Sequence, residues 1–201
     1  MKPKFLLPAL AAAFFAIAAL AQTAPSTRVR GNIAEINGSD MKVTSRDGQN
    51  LEITLNAPLT VMTVKGVDLA SITPGTFIGT ATRTGANGEL RAIEVLVFPE
   101  AMRGAGEGHY PWDLGPGSMM TNATVTATVQ ATSGRELSLS YKGGQNKVVV
   151  PPDAPIVTFA PAERADLQLG APVFLSAAKS AEGELATSRV IVGKDGVAPP
   201  M

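Results

Sequence analysis

The 201-residue chain has no cysteine, one histidine, one tryptophan and two tyrosines. Without thiols there is no thiol catalysis, no zinc–thiolate centre and no disulfide, so burial alone must hold the cores. Net charge is missing too, with 17 basic residues against 17 acidic. A near-neutral chain lacks the electrostatic footprint of a nucleic-acid binder and carries no polybasic membrane patch. Long apolar runs are absent beyond the N-terminus, so no transmembrane span is expected in the mature chain. The N-terminal run follows a secretory pattern. Lys2 and Lys4 precede the apolar stretch from Phe5 to Ala18, and Ala19-Leu20-Ala21 supplies small residues for a signal peptidase. Residues 1–21 therefore read as a signal peptide cleaved before Gln22, which implies a periplasmic or secreted protein. Its loss removes two lysines and leaves a formal charge of −2.

What remains says nearly the same thing twice. Gly48-Gln49-Asn50 recurs as Gly144-Gln145-Asn146, Ala57-Pro58 as Ala154-Pro155, and Gly88-Glu89-Leu90 as Gly183-Glu184-Leu185. The offsets are 96, 97 and 95. Such constant spacing marks an internal repeat. The chain divides into a flexible lead at 22–27, a first copy at 28–98, a linking segment at 99–123, a second copy at 124–192 and a tail at 193–201. A single unit of about 70 residues is marginal without staples, so contact between the copies is expected.

Within each copy the apolar period is 2. Met41 and Val43, Leu51, Ile53 and Leu55, and Ile93, Val95 and Val97 alternate with other residues in the first. Leu137 and Leu139, Val148 and Val150, and Val190 and Val192 do so in the second. Alternation over short runs predicts half-buried strands. Asp47-Gly48 and Gly143-Gly144 read as hairpin turns between them. Five strands are predicted per copy: 28–37, 40–46, 50–56, 76–84 and 89–98, then 124–131, 136–141, 146–151, 172–180 and 184–192. Short extra strands fit at 60–64 and 156–160. Asp68–Gly75 and Ala165–Gly170 each suit one helical turn closed by glycine. The expected fold is all-β, with two tandem OB-like antiparallel barrels joined by an ordered aromatic and glycine-rich segment. A generic closed barrel fits nearly as well, and a β-sandwich is the runner-up.

The repeat, with its Gly-Gln-Asn turn and a stretch before the fourth strand that reads Leu-x-x-Ile-x-x-Gly at Leu69–Gly75 and keeps its Leu167-x-x-Gly170 end in the second copy, resembles bacterial exported proteins carrying a small β-barrel domain of unknown function. Residues 98–124 look like the middle segment of one proteobacterial branch. The resemblance implies an OB-like barrel and export, and it implies no chemistry.

Functional candidates concentrate in residues 99–123, which hold His109, Trp112 and Tyr110. Tyr110 and Trp112 are expected to clamp the two barrels together. Alternatively Glu107, His109, Tyr110, Trp112 and Asp113 form a ligand or partner loop over a barrel mouth. A metal reading takes His109 with Met102, Met119 and Met120, a soft donor set that suits copper, although neighbouring Met119 and Met120 would point opposite ways in a strand. A hydrolase would need Ser118 to meet His109 with Asp113 as orienter, and no Gly-x-Ser-x-Gly elbow accompanies them. The expected role is therefore non-enzymatic binding or scaffolding, with a protein or peptide partner, no nucleic acid and no cofactor. Copper or small-ligand handling is the alternative and a hydrolase the second.

Overall fold

The computed structural model describes residues 26–131 and 134–200. The expected signal peptide at 1–21 and most of the expected lead lie outside the described residues. The chain is all-β. Its strands are β1 (Ser26–Asn37), β2 (Asp40–Ser45), β3 (Asn50–Gly66), β4 (Phe77–Thr84), β5 (Leu90–Val97) and β6 (Gly108–Pro111). They continue as β7 (Met119–Ala131), β8 (Gly134–Tyr141), β9 (Gly144–Val150), β10 (Ile156–Pro161), β11 (Pro172–Lys179) and β12 (Leu185–Val192). No helix among the described residues is long and apolar enough to cross a membrane.

Alternation builds the strands as expected. Met41 and Val43 on β2, and Leu137 and Leu139 on β8, turn inward and are buried, while their neighbours are not. Gly48 and Gly143 turn the hairpins with φ of 84° and 99°, a region where a side chain would be strained. On β5 one expectation fails. Ala92, not Ile93, joins the core, because the register with β4 shifts between Ala81 and Thr82.

Strand pairing departs from one barrel per copy. A closed five-stranded barrel runs β1-β2-β3-β12-β11 and back to β1, with β3 and β12 parallel. A second ring runs β7-β8-β9-β5-β4 and back to β7, its β5–β9 closure resting on the pairs Leu90↔Val148 and Arg91↔Val149. Each ring thus takes three strands from one copy and two from the other. The cores record the exchange. Val29, Met41, Val43 and Ile53 pack with Val173, Leu175, Val190 and Val192, whereas Ile78 and Val95 pack with Val125, Leu137, Leu139 and Val148.

The crossing segments explain how this happens. The extra strand expected at 60–64 is continuous with the third strand, so β3 runs on to Gly66 and carries the chain to the second ring. There Ile72, just after the 3-10 turn Leu69–Ser71, enters that ring's core. β10 makes the return journey, and Leu167, after the turn Arg164–Asp166, enters the first barrel's core. The two crossing strands pair antiparallel, Met62↔Pro161 through Gly66↔Val157, and β10 also pairs with β5. Strands in both halves of the sequence alternate in the same way, so the inward pattern alone does not specify which strands close which ring.

Candidate functional site

Where the rings meet, their outer faces form a third apolar cluster of Val64, Leu96, Val157, Phe174 and Ile191, with Met62, Phe98, Trp112 and Phe159 packed against it. Beside it opens a cleft of about 1020 Å³. One wall comes from β11 and β12, with Phe174, Ser176, Thr187 and Ile191. The opposite wall comes from the second ring, with Leu96, Phe98 and Met120, and the linking segment closes it with Met102, Tyr110 and Trp112.

Glu94 is the chemical anomaly of this cleft. Its neighbour Val95 points into the second ring, so the pleat of β5 turns Glu94 outward, along with Leu96. The outer face is covered by the first barrel, and Glu94 is only 2% exposed. Its backbone carbonyl accepts a hydrogen bond from Thr80 Oγ1 at 2.7 Å, but its Oε2 is buried without a partner. Burial pushes the carboxyl up to about 7, against the pull of the Arg30 and Arg46 charges. Trp112 Nε1, another cleft residue, is also buried without a partner. Unmet buried polar groups are few in native proteins, and each calls for a reason.

The linking segment is ordered by contacts to both rings. β6 pairs with β7 of the second ring. Towards the first barrel, the Arg28 guanidinium lies 3.8 Å from the centroid of the Trp112 ring, and Tyr110 meets that ring edge-on at 6.1 Å. Asp113 accepts hydrogen bonds from Arg30 Nη1 and Nη2 at 2.9 and 2.8 Å. Burial alone would raise the Asp113 carboxyl, but the hydrogen bond and charge of Arg30, with the charge of Arg28, hold it below the ordinary range. Trp112 and Asp113 therefore stand on β1 as a clamp, with cation–π and ionic contacts in place of simple aromatic burial.

The residues singled out from sequence separate into two groups. Tyr110, Trp112, Met102 and Met120 line the cleft. The Tyr110 hydroxyl accepts a hydrogen bond from Asn122 Nδ2 at 3.2 Å, and burial raises its pKa. Glu107 and His109 lie instead against the β8–β9 hairpin. Glu107 accepts from the Lys142 backbone N–H at 3.0 Å. His109 Nδ1 sits 2.8 Å from Thr121 Oγ1 and 3.1 Å from Asn146 Nδ2, and its ring stacks on Tyr141 at 6.0 Å.

His109 pairs with Thr121 and Tyr110 with Met120 in the β6–β7 register, so the pleat puts His109 and Met120 on opposite faces. The His109, Met102, Met119 and Met120 donor set is thus not assembled at one point. Among the described residues, no three His, Asp or Glu side chains gather as metal ligands either. The hydrolase set is likewise dispersed. Ser118 Oγ donates to the carbonyls of Trp112 and Gly115 at 2.9 and 2.8 Å, and Asp113 is held by Arg30.

Glu94, Arg28 and Arg30 escaped the sequence reading because a charge on the outward face of a strand normally meets water. The available signal was the period-2 row Glu94, Leu96, Phe98, which is too apolar for a solvated face. Searches of family models, curated proteins and solved structures each found no match to this chain.

Proposed function

We propose that the chain is an exported, non-enzymatic binding protein, periplasmic after cleavage near Ala21, that receives an apolar segment of a peptide or protein partner in the cleft between its rings. The observation that carries this reading is the cleft itself, about 1020 Å³ with apolar and aromatic walls and a few polar atoms directed into it. A concave apolar site with a small number of convergent polar groups is the usual form of a binding pocket. We also read the two rings as OB-like products of a duplication. The order 1-2-3-5-4-1, with strands 3 and 5 parallel, supports that reading in each ring once strands are counted along the composite path. The strand exchange then has a functional consequence, since it fixes the two outer faces against each other and makes their junction a rigid site.

The test uses Trp112, the only tryptophan and a wall of the cleft. A capped leucine-norleucine-leucine peptide is added to the mature protein while Trp112 fluorescence is followed. Saturable change in the wild type is expected. Ser188 is exposed and lines the cleft, so Ser188→Phe should weaken binding at least tenfold by filling the mouth. Identical binding in both proteins places the ligand elsewhere and defeats the reading.

A further inference from the structure

We infer that the occupant of the cleft carries an ammonium group on an apolar body, and that Glu94 is its anchor. The inference rests on the reading of the cleft as the binding site and names the chemistry that site selects.

Three observations converge. Glu94 lines the cleft at 2% exposure, and its Oε2 has no hydrogen-bond partner. A buried carboxylate oxygen in that position requires a donor. Arg30, whose charge acts on Glu94, makes no hydrogen bond to it: both terminal nitrogens are bound to Asp113, and its Nε is buried without a partner. Finally, the cleft that Glu94 lines also holds the aromatic side chains of Phe98, Phe159, Phe174, Tyr110 and Trp112. Aromatic faces attract a cation, and apolar flanks hold the alkyl chain that carries it.

The charges around Glu94 set the pH behaviour. Arg30 on β1 and Arg46 after β2 act on it from the first barrel. Arg189 on β12, exposed, is the other charged residue lining the cleft among those described. Both nearby arginines favour the carboxylate, yet desolvation prevails and the group titrates near neutrality. An ammonium ligand binds the ionised form. Its affinity should therefore rise about tenfold between pH 6 and 8, as Glu94 gives up its proton in the free protein. The ammonium stays charged throughout, since alkylamines titrate near 10.4, like lysine.

The ammonium has two possible sources, a lysine side chain in a peptide or a free alkylamine. Trp112 fluorescence is followed with capped leucine-lysine-leucine against leucine-norleucine-leucine, and with n-hexylamine against n-hexanol. The lysine peptide is expected to bind at least tenfold more tightly than its norleucine twin at pH 8. Glu94→Gln should erase that preference and leave the norleucine peptide unaffected. If Glu94→Gln does not fold, the wild-type pH profile decides, with affinity for the lysine peptide rising from pH 6 to 8 and that for the norleucine peptide flat. Equal binding of both peptides, at all pH values, overturns the anchor and leaves the cleft reading standing. Hexylamine preferred over hexanol, with neither peptide bound, supports the ammonium assignment and removes the peptide partner. Silence from all four probes overturns the cleft reading and this inference with it.

Discussion

The ring interiors and the cleft between the rings are both apolar, but they differ in what they leave unmet. The two interior clusters contain aliphatic residues such as Val43, Ile53, Leu137 and Leu139, and among the described residues the buried carboxylic acid, Glu94, lies outside both. The junction adds Met, Phe, Tyr and Trp side chains to an aliphatic cluster of Val64, Leu96, Val157 and Ile191, and encloses Glu94 Oε2 and Trp112 Nε1 without partners. A core made for stability has no reason to hold such groups. A surface made to receive a partner has, because the partner supplies what is missing. The contrast separates residues that hold the fold from residues that fit the binding role proposed above.

The contrast breaks most visibly in the interiors. Ile53→Ala and Leu139→Ala, each about 1% exposed in different rings, should each cost about 3 kcal/mol. Because each ring draws strands from both copies, both variants should lower a single shared unfolding transition in calorimetry. Two separate transitions, with only one moved by each variant, would show rings that melt independently.

Glu94 sharpens the comparison in the opposite direction. Its carboxyl stands near 7 in the folded protein against an ordinary 4.5. The folded state therefore holds the proton more tightly, and stability should fall as pH rises from about 4.5 to 7, by up to about 3 kcal/mol in total. Above pH 7 the curve flattens. Glu94→Gln should remove this slope and melt higher than wild type at pH 8. A wild-type melting temperature that does not vary between pH 5 and 8 would refute the burial argument.

Trp112→Ala tests the clamp. The ring is half-buried and stacked under Arg28, so a loss of about 2 kcal/mol is expected in urea unfolding. A loss under about 0.5 kcal/mol, typical of a surface site, would mean that the segment does not brace the rings. His109→Ala should do least. It removes hydrogen bonds to Thr121 and Asn146, worth about 1 kcal/mol, and leaves peptide affinity unchanged because His109 does not line the cleft.

Much of the fold was legible because strands announce themselves locally. Alternation at Met41 and Val43 and at Leu137 and Leu139, with glycine turns at Gly48 and Gly143, placed most strand ends within a few residues. The exchange between copies was not legible. Strands with the same inward pattern in both halves of the sequence specify a ring but not which partner completes it, and the choice lies in how β3 runs on through Val61 to Gly66. Trp112 and Tyr110 stood out in the sequence because Trp and Tyr are rare in this chain. The contact of Trp112 with Arg28, and the burial of Glu94, depend on which outer faces meet. Pairing across separate strands decides that, and no local pattern records it. Grouping His109 with Met120 failed for a simpler reason, since proximity in sequence gave no strand register.

The most direct measurement is native mass spectrometry of the protein in the form proposed to be mature, from Gln22 onward, purified without chelators. Wild type, Ser188→Phe and His109→Ala are compared. One occupant at fixed stoichiometry in wild type and His109→Ala, and none in Ser188→Phe, is the expected result. An occupant kept by Ser188→Phe and lost from His109→Ala would contradict it and move the site to the β8–β9 hairpin.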